Sequence, residues 1–219
     1  MIYDFHTHTF LSDGGSSPIG LIRFAVAAGY RCIAITDHAS YSNLDYLIEG
    51  IKKDCQLAEK YWDIIAIPGV ELTNIPAKSI NNMAKDAKEL GAKIVVVHGE
   101  SIVEEVEAGT NWEAVNSSYV DLLAHPGLLT LKEAKAAAEN DVYIEITGRK
   151  GHSLTNGIVA KVGSEAGVRF LINSDAHNHS DLFQSGFQSK VGIGSGLQPN
   201  EVENILTKNS KDFLRKIRY

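Results

Sequence analysis

The sequence predicts an α/β barrel, and three observations support this prediction. Short apolar, β-branched runs alternate with longer amphipathic segments along the whole chain, which is typical of parallel strands joined by helices. No linker-like or low-complexity segment interrupts the alternation, so we expect a single domain over residues 1–219. The first predicted strand lacks the glycine-rich turn of a dinucleotide-binding sheet, which favours a closed barrel over an open sheet.

Seven segments have the composition of buried strands. In chain order they are Ile2–Phe5, Cys32–Thr36, Ile64–Pro68, Ile94–Val97, Asp121–Ala124, Val142–Ile146 and Arg169–Asn173. A weaker eighth strand is predicted at Lys190–Ile193. The stretch that contains Gly192, Gly194 and Gly196 is expected to be a flexible loop.

Amphipathic periodicity predicts helices between these strands. They are Pro18–Gly29, Leu44–Tyr61, Ser79–Leu90, Leu131–Glu139, Asn156–Ala166 and a C-terminal helix around Glu201–Ile217. Pro18 suits a first helical turn, and Gly29, Gly91 and Gly167 lie just past the last turns of their helices.

Charge and composition exclude several classes of protein. With 21 Lys and Arg against 27 Asp and Glu, the net charge of −6 argues against a general grip on long nucleic acid. The sequence has no run of roughly eighteen apolar residues, and MIYDFHTHTF lacks the pattern of a signal peptide. Cys32 and Cys55 form no CxxC motif. We therefore expect a cytoplasmic protein with reduced thiols and no membrane partner. The sequence does not predict its oligomeric state.

Histidines recur where the predicted strands end. Six of the eight histidines lie at or just past the C-terminal end of a predicted strand, namely His6, His8, His38, His98, His125 and His177. Glu71 follows the third predicted strand, and Asp175 precedes His177 by two residues. In a parallel barrel these ends open on one face, where barrel enzymes place their chemistry.

This pattern predicts a site for more than one metal ion. A single histidine at a strand end is usually an ordinary hydrogen-bonded residue, but independent placement of six on one face is improbable. Imidazole together with carboxylate suits Zn²⁺, Fe²⁺ or Mn²⁺, whereas Ca²⁺ and Mg²⁺ prefer mostly oxygen. Glu71 is a candidate to bridge two ions, as carboxylates do in two-metal hydrolytic sites.

The motifs DFHTHTFLSDG, ITDH, PGVE, VVVHGE, LAHPG and NSDAH, in this order from Asp4 to His177, resemble those of the PHP (polymerase and histidinol phosphatase) superfamily. The resemblance implies a single-domain, distorted (β/α)7 TIM-like barrel with two or three divalent ions (Mn, Fe or Zn). It implies three ligand sets: His6, His8, Glu71 and Asp175 for a first ion, Glu71, His98 and His125 for a second, and Asp13, His38 and His177 for a third.

One ligand departs from the commoner pattern of the family. Many members have histidine where this chain has Asp13, although others have aspartate. An oxygen ligand favours Mn²⁺ or Fe²⁺ somewhat over Zn²⁺ at the third position. Asp13 can alternatively cap the turn of residues 12–15. Asp37 is expected to orient a ligand imidazole rather than to bind an ion itself.

Two longer segments, EITGRKGHSLTNG and HGESIVEEVEAGTN, are similar to stand-alone histidinol-phosphatase-like members. This similarity implies hydrolysis of a small phosphomonoester by metal-bound hydroxide. The expected catalytic residues are Glu71, Asp175 and His177, with His152 or a metal-bound water as the acid. The expected substrate contacts are Lys78, Arg149, Lys150 and His152, although Arg149 and Lys150 can also be a solvated loop pair.

An acidic loop follows the fourth predicted strand. Glu100, Glu104, Glu105 and Glu107 lie within eight residues of one another, either as a solvated face or as partners for a cationic group of the substrate. Histidinol phosphate is the leading substrate candidate. The alternatives are a phosphodiesterase or exonuclease acting on short oligonucleotides or 3′,5′-bisphosphonucleotides, and an inactive PHP module that partners a polymerase. Sparse aromatic residues disfavour the first alternative, and the complete ligand set disfavours the second.

Overall fold

Seven parallel strands curve into a nearly closed barrel in the computed structural model, which describes residues 1–218. The strands are β1 (Ile2–Asp4), β2 (Tyr30–Ile35), β4 (Ile65–Leu72), β5 (Ile94–His98), β6 (Leu122–Ala124), β7 (Tyr143–Thr147) and β8 (Phe170–Asn173). They pair in chain order, and the two-residue strand β3 (His38–Ala39) pairs with the end of β4. This topology confirms the predicted (β/α)7 TIM-like barrel.

The barrel closes through the segments that follow its first and last strands. Thr7 and Ala176 form an isolated parallel bridge. The His8 N–H donates to the Ala176 carbonyl at 2.8 Å, and the Asp175 N–H donates to the His6 carbonyl at 3.0 Å. Closure therefore depends on the backbone of residues that were predicted to bind metal.

Helices cover the outside of the barrel. They are α1 (Pro18–Ala27), α2 (Leu44–Tyr61), α3 (Ile80–Leu90), α4 (Thr110–Val115), α5 (Leu131–Glu139), α6 (Asn156–Ala166), α7 (Phe187–Gly194), α8 (Pro199–Asn204) and α9 (Ser210–Arg218). Short 3₁₀ turns lie at Ala77–Ser79, His152–Thr155 and His179–Asp181, and a π-helical turn at Ile205–Asn209 joins α8 to α9. None of these helices within residues 1–218 is long and apolar enough to cross a bilayer.

Local capping chemistry explains the helix boundaries. The Ser17 side chain accepts the Gly20 N–H at the start of α1, and Pro18 occupies the first turn. Thr130 and Glu133 form a capping box at the start of α5. Gly91 and Gly167 end α3 and α6 with φ of 107° and 75°, a left-handed conformation that favours glycine.

The prediction for Lys190–Ile193 was wrong, because this segment lies inside α7. Short apolar runs do not distinguish strand from helix by periodicity alone. The Gln188 side chain docks the helix by donating to the carbonyls of Tyr3 and Ile172 at 2.7 Å each. Gly192 packs so closely on the sheet and α8 that a Cβ there would lie 2.8 Å from Ile172. The expected flexible loop is thus a packed helix up to Gly194.

The barrel interior is closed at its lower end by the C-terminal helix. Phe213 of α9 is fully buried, with its ring centroid 4.9 Å from that of Phe5 and 4.7 Å from that of Tyr143. A larger apolar cluster fills the space between the strands and the outer helices. Both cysteines are buried thiols. With the lower end filled, the opposite end of the barrel is where a ligand can enter.

Candidate metal centre

All nine predicted metal ligands lie together at the C-terminal ends of the strands, beside an open cleft of about 410 Å³. They come from the loops and strand ends after six different strands, so the barrel itself brings sequence-distant residues together. The members are His6, His8, Asp13, His38, Glu71, His98, His125, Asp175 and His177.

Glu71, near the end of β4, is fully buried at the centre of this group. Its Oε1 lies 3.3 Å from His6 Nε2 and 3.5 Å from both His98 Nδ1 and His125 Nε2. Its Oε2 lies 2.7 Å from His38 Nδ1. One carboxylate therefore lies within 3.5 Å of four imidazoles, and this is the geometry expected of a bridging ligand.

Asp175 is the second buried carboxylate of the centre. Its Oδ1 lies 3.2 Å from His8 Nε2 and 3.5 Å from His177 Nδ1, and its Oδ2 lies 3.6 Å from His125 Nε2. Asp175 and His125 have positive φ values of 53° and 26°. Such backbone conformations cost energy in non-glycine residues and occur preferentially at functional sites.

A third group forms at the mouth of the cleft. Asp13 Oδ1 lies 3.6 Å from His38 Nε2, and Asp13 Oδ2 lies 3.2 Å from His177 Nε2. His8 joins them, with ligand atoms of all four residues within 4.8 Å of one another. The Asp13 carboxylate thus faces imidazoles, as a ligand would, and the resemblance did not include His8 in this set.

Asp37 has a different role from the expected one. Its carboxylate accepts hydrogen bonds from the Thr9 N–H and hydroxyl, both at 2.7 Å, and from the Ser12 hydroxyl at 2.6 Å. It therefore anchors the loop between His8 and Asp13 instead of orienting an imidazole. The prediction that Asp37 orients an imidazole was therefore wrong. Asp37 instead supports the loop that connects the two predicted ligands His8 and Asp13.

Glu145 was missed by the sequence analysis and is fully buried in β7. Its Oε1 lies 2.8 Å from His6 Nδ1 and accepts the Asn173 side-chain amide at 2.9 Å, while Oε2 accepts the backbone N–H of His125 at 3.1 Å. A carboxylate that receives the second N–H of a ligand histidine fixes the tautomer and orientation of the ring. The available signal was a charged residue inside an apolar strand, YIEIT.

His152 lies in the wall of the cleft and links two loops. Its Nδ1 is 2.7 Å from the Ser101 hydroxyl, and its Nε2 is 3.3 Å from Glu104 Oε1. Its ring stacks on that of His125, with centroids 4.2 Å apart. Glu104 also reaches His98, with 3.1 Å between Oε2 and Nε2.

The other acidic residues of this loop have structural contacts. Glu100 accepts the N–H groups of Gly109 and Asn111 at 3.0 Å each, and Glu107 accepts the Ala77 N–H at 3.1 Å. Glu105 borders a neighbouring cavity instead of the cleft. Of the four acidic side chains predicted to form a solvated face or a cation site, Glu104 is the one that lines the cleft.

The three basic residues that were predicted to bind substrate differ in their position relative to the cleft. Arg149 lines the cleft, with its guanidinium 3.8 Å from the Asp181 carboxylate. Lys150 is exposed beside it and outside the cleft lining. Lys78 projects into solvent and pairs with Glu113 at 2.5 Å. Of these three residues, Arg149 alone lines the cleft beside the metal ligands.

The buried carboxylates and imidazoles set one another's ionisation. Burial disfavours a positive charge on His6 and on His38. The nearby Glu145 carboxylate outweighs burial at His6 and raises its pKa well above the ordinary value. Glu71 has the same effect on His38 and raises its pKa to about 10. Burial lowers the pKa of His8 to about 4. Burial also disfavours ionised Glu71, but the neighbouring imidazoles hold its pKa well below its usual range. Protonated imidazoles thus balance the negative charge of the carboxylates. Divalent cations can balance the same charge in their place.

Unpaired acceptor atoms show that the residues fit metal ions. Within residues 1–218, Glu71 Oε1 and His98 Nδ1 are buried without a hydrogen-bond partner, although they face each other at 3.5 Å. Two ligands about 2.1 Å from one ion lie roughly 3.0–3.4 Å apart, which is close to the spacing around Glu71. The mixed nitrogen and oxygen donors suit Zn²⁺, Fe²⁺ or Mn²⁺.

The chain is similar in sequence to several known proteins. The profile of the PHP domain matches residues 4–214. An uncharacterized protein of Methanocaldococcus jannaschii is 51% identical over 218 residues, which cover 99% of this chain and 100% of that protein. A probable phosphatase of Thermoanaerobacter sp. is 27% identical over 237 residues, covering 99% of this chain and 95% of the relative.

A solved structure shares the fold. It is one of the crystal structures of YwqE from Bacillus subtilis and CpsB from Streptococcus pneumoniae, two proteins that are described as metal-dependent tyrosine phosphatases. The TM-score is 0.62 at 16% identity, with 98% of this chain and 95% of that chain covered. At this identity the likeness supports the barrel architecture alone.

Proposed function

This chain belongs to the PHP domain family, and from that premise we propose that it is a metal-dependent phosphatase acting on small phosphomonoesters. The observation that carries the proposal is the convergence of nine candidate ligand side chains, with the buried Glu71 carboxylate at their centre, at a cleft that Arg149 also lines. Ligand clusters of this kind support phosphoryl transfer, while a guanidinium at the rim supports recognition of a phosphate group.

We propose that the ligands divide into the three sets implied by the family resemblance, with His8 close to the third set as well as the first. The geometry supports a shared centre because Glu71 faces members of all three sets, including His38 of the third, and Asp175 lies between the first and third. When bound, divalent ions lower the pKa of a coordinated water and neutralise phosphoryl oxygens. The chain's own contribution is to hold the ligands at a fixed spacing in a largely buried site.

The cleft supports a small substrate. A volume of about 410 Å³ lies in the lower part of the range for small-molecule sites. Arg149 lines the cleft and is placed to bind phosphate oxygens. His152 lines the same cleft, but its two ring nitrogens face Ser101 and Glu104, so a bond to the leaving-group oxygen requires the exchange of one of these contacts. We therefore propose a small phosphorylated ligand, and not long nucleic acid, as the partner of this site.

Charge in the cleft supports a narrower proposal. Arg149 and Glu104 both line the cleft, and they come from different loops, one after β7 and one after β5. A phosphate near Arg149 leaves the organic part of the substrate free to extend towards Glu104. A cationic amino-alcohol phosphate suits this arrangement, and histidinol phosphate is the named candidate.

The test is a hydrolysis panel with the protein loaded in turn with Mn²⁺, Zn²⁺ and Fe²⁺. The panel contains histidinol phosphate, neutral-alcohol phosphates of similar size, a 3′,5′-bisphosphonucleotide and short oligonucleotides. We expect metal-dependent release of phosphate from the monoesters. Cleavage of oligonucleotides without monoester hydrolysis would replace this proposal with an exonuclease. No hydrolysis at full metal occupancy would point to an inactive PHP module.

A further inference from the structure

Glu104 contacts two neighbouring histidines of the cleft wall, His98 and His152, whose ring centroids are 5.8 Å apart. Its side chain is 53% exposed, whereas those of His98 and His152 are 5% and 7% exposed. Oε2 lies 3.1 Å from His98 Nε2, and Oε1 lies 3.3 Å from His152 Nε2. One oxygen of the same carboxylate thus serves each imidazole.

The chemistry of the carboxylate assigns the proton on both rings. An ionised carboxylate only accepts hydrogen bonds, so Nε2 carries the proton in His98 and in His152. In neutral His98 the lone pair then resides on Nδ1, the atom that faces Glu71 Oε1 at 3.5 Å without a hydrogen-bond partner in residues 1–218. In neutral His152, Nδ1 accepts the Ser101 hydroxyl at 2.7 Å. The tautomer that Glu104 selects is therefore the one that a metal ligand at His98 needs.

The loop that carries Glu104 is fastened on both sides of this residue. Glu100 accepts two backbone N–H groups, from Gly109 and Asn111, and Glu107 accepts the Ala77 N–H. Ser101, which is buried, bonds to His152. Glu104 is thus held towards the two histidines by the fold of its loop and is not a freely solvated surface charge.

We propose that Glu104 is a positioning residue of the metal centre, which fixes His98 in the tautomer that presents Nδ1 to Glu71 and holds His152 at the cleft. The inference deepens the proposed function and rests on the metal centre that it assumes. Outer partners of ligand histidines typically contribute about 10- to 100-fold to metal affinity. Glu104 belongs to an exposed loop, so its substitution should leave the barrel folded.

The experiment compares Glu104→Gln with Glu105→Gln, an acidic neighbour on the same loop that faces another cavity. Chelator competition with Zn²⁺ as the probe gives the affinity of each ion. We expect Glu104→Gln to weaken the most affected ion by about 10- to 100-fold and Glu105→Gln to leave all affinities unchanged. Glu104→Asp, which keeps the acceptor, should recover part of the loss.

A second readout reports the tautomer directly. Long-range ¹H–¹⁵N correlation spectra of the metal-free protein should show His98 protonated at Nε2 in the parent chain and a changed pattern in Glu104→Gln. The metal-free protein is used because an ion bound at Nδ1 would by itself leave the proton on Nε2. An unchanged His98 signature overturns the proposal, whether or not zinc affinity falls, and so does unchanged zinc affinity. Neither measurement uses a substrate, so loss of the phosphatase proposal and loss of this inference are distinguishable.

Discussion

Oε1 of Glu145 lies 2.8 Å from Nδ1 of His6, and both side chains are fully buried. Because Nδ1 is held by this carboxylate, Nε2 of His6 points towards Glu71 and His8, at 3.3 Å and 3.0 Å. The ring is thereby presented to the centre through one defined nitrogen. Glu145 adds a buried negative charge close to the ligands and so also strengthens the attraction for cations.

Replacing Glu145 with Gln should weaken metal binding by about 10- to 100-fold while the fold is retained. The amide keeps the shape of the side chain but loses the charge and one of the two acceptor oxygens. Metal affinity can be measured by chelator competition. Glu139→Gln, an exposed change on α5, is the matched control. Equal affinities in the two variants would mean that Glu145 serves only the packing of the strand.

Replacing Glu71 with Gln should reduce hydrolysis by more than about 1,000-fold and lower the number of ions bound, because this carboxylate lies within 3.5 Å of four imidazoles. The measurements are metal content after dialysis and phosphate release under saturating metal. Glu89→Gln, at an exposed ion pair with Lys85, is the control. Full metal content and substantial activity in Glu71→Gln would contradict a bridging role.

Local patterns were sufficient to predict much of the scaffold and the ligand positions. The bounds of α2, α5 and α6 match the predicted Leu44–Tyr61, Leu131–Glu139 and Asn156–Ala166, because periodicity and the residues at the helix ends indicate the same limits. The six strand-end histidines were detectable because parallel strands place their C-terminal ends on one face. The order and parallel direction of the strands were thus enough to predict that these histidines lie close together.

Other features depend on contacts that no local pattern contains. Glu145 and His6 are 139 residues apart in sequence, so a buried charge in β7 could be noticed but its partner could not be identified. The direction of Glu104 follows from the side chains of Glu100 and Glu107, whose carboxylates accept the backbone N–H groups of Gly109 and Ala77. Lys78 lies in the 3₁₀ turn at Ala77–Ser79 and pairs with Glu113, a residue 35 positions later that no local pattern identifies as its partner.

Arg149→Ala and Lys150→Ala should differ sharply although the two residues are adjacent. Arg149 lines the cleft and Lys150 does not. If the guanidinium binds phosphate equally in the ground and transition states, its loss should mainly raise KM, by roughly 10-fold or more. Lys150→Ala should leave the kinetics unchanged. Steady-state kinetics with one phosphomonoester decide the matter, and unchanged KM in Arg149→Ala would make this residue a solvated loop side chain.

Phe213→Ala should destabilise the protein by about 3–5 kcal/mol, because the fully buried ring fills the lower end of the barrel against Phe5 and Tyr143. Urea unfolding of the metal-free protein measures the free energy. Lys211→Ala, an exposed position on the same helix, should change it by less than about 0.5 kcal/mol. A loss below about 1 kcal/mol in Phe213→Ala would show that the barrel does not depend on α9 to fill its lower end.

A cationic substrate should be preferred, and Glu104 should carry the preference. The carboxylate has lone pairs beyond those that His98 and His152 use, and its side chain is half exposed. A partly exposed charge pair contributes about 0.2–1 kcal/mol, which corresponds to roughly 1.4- to 5-fold in kcat/KM. Histidinol phosphate should therefore exceed a neutral-alcohol phosphate of similar size by a factor of this order at low salt.

The ratio of the two kcat/KM values separates this contact from the positioning role of the same residue. Weaker metal binding in Glu104→Gln lowers both rates together and cancels in the ratio, whereas loss of a charge contact moves the ratio towards one. High salt should have the same effect on the parent chain by screening. Glu105→Gln should keep the parent ratio, because its side chain borders another cavity. Equal kcat/KM values for the two substrates in the parent chain at low salt would rule out a cation contact at Glu104 and leave the phosphatase proposal intact.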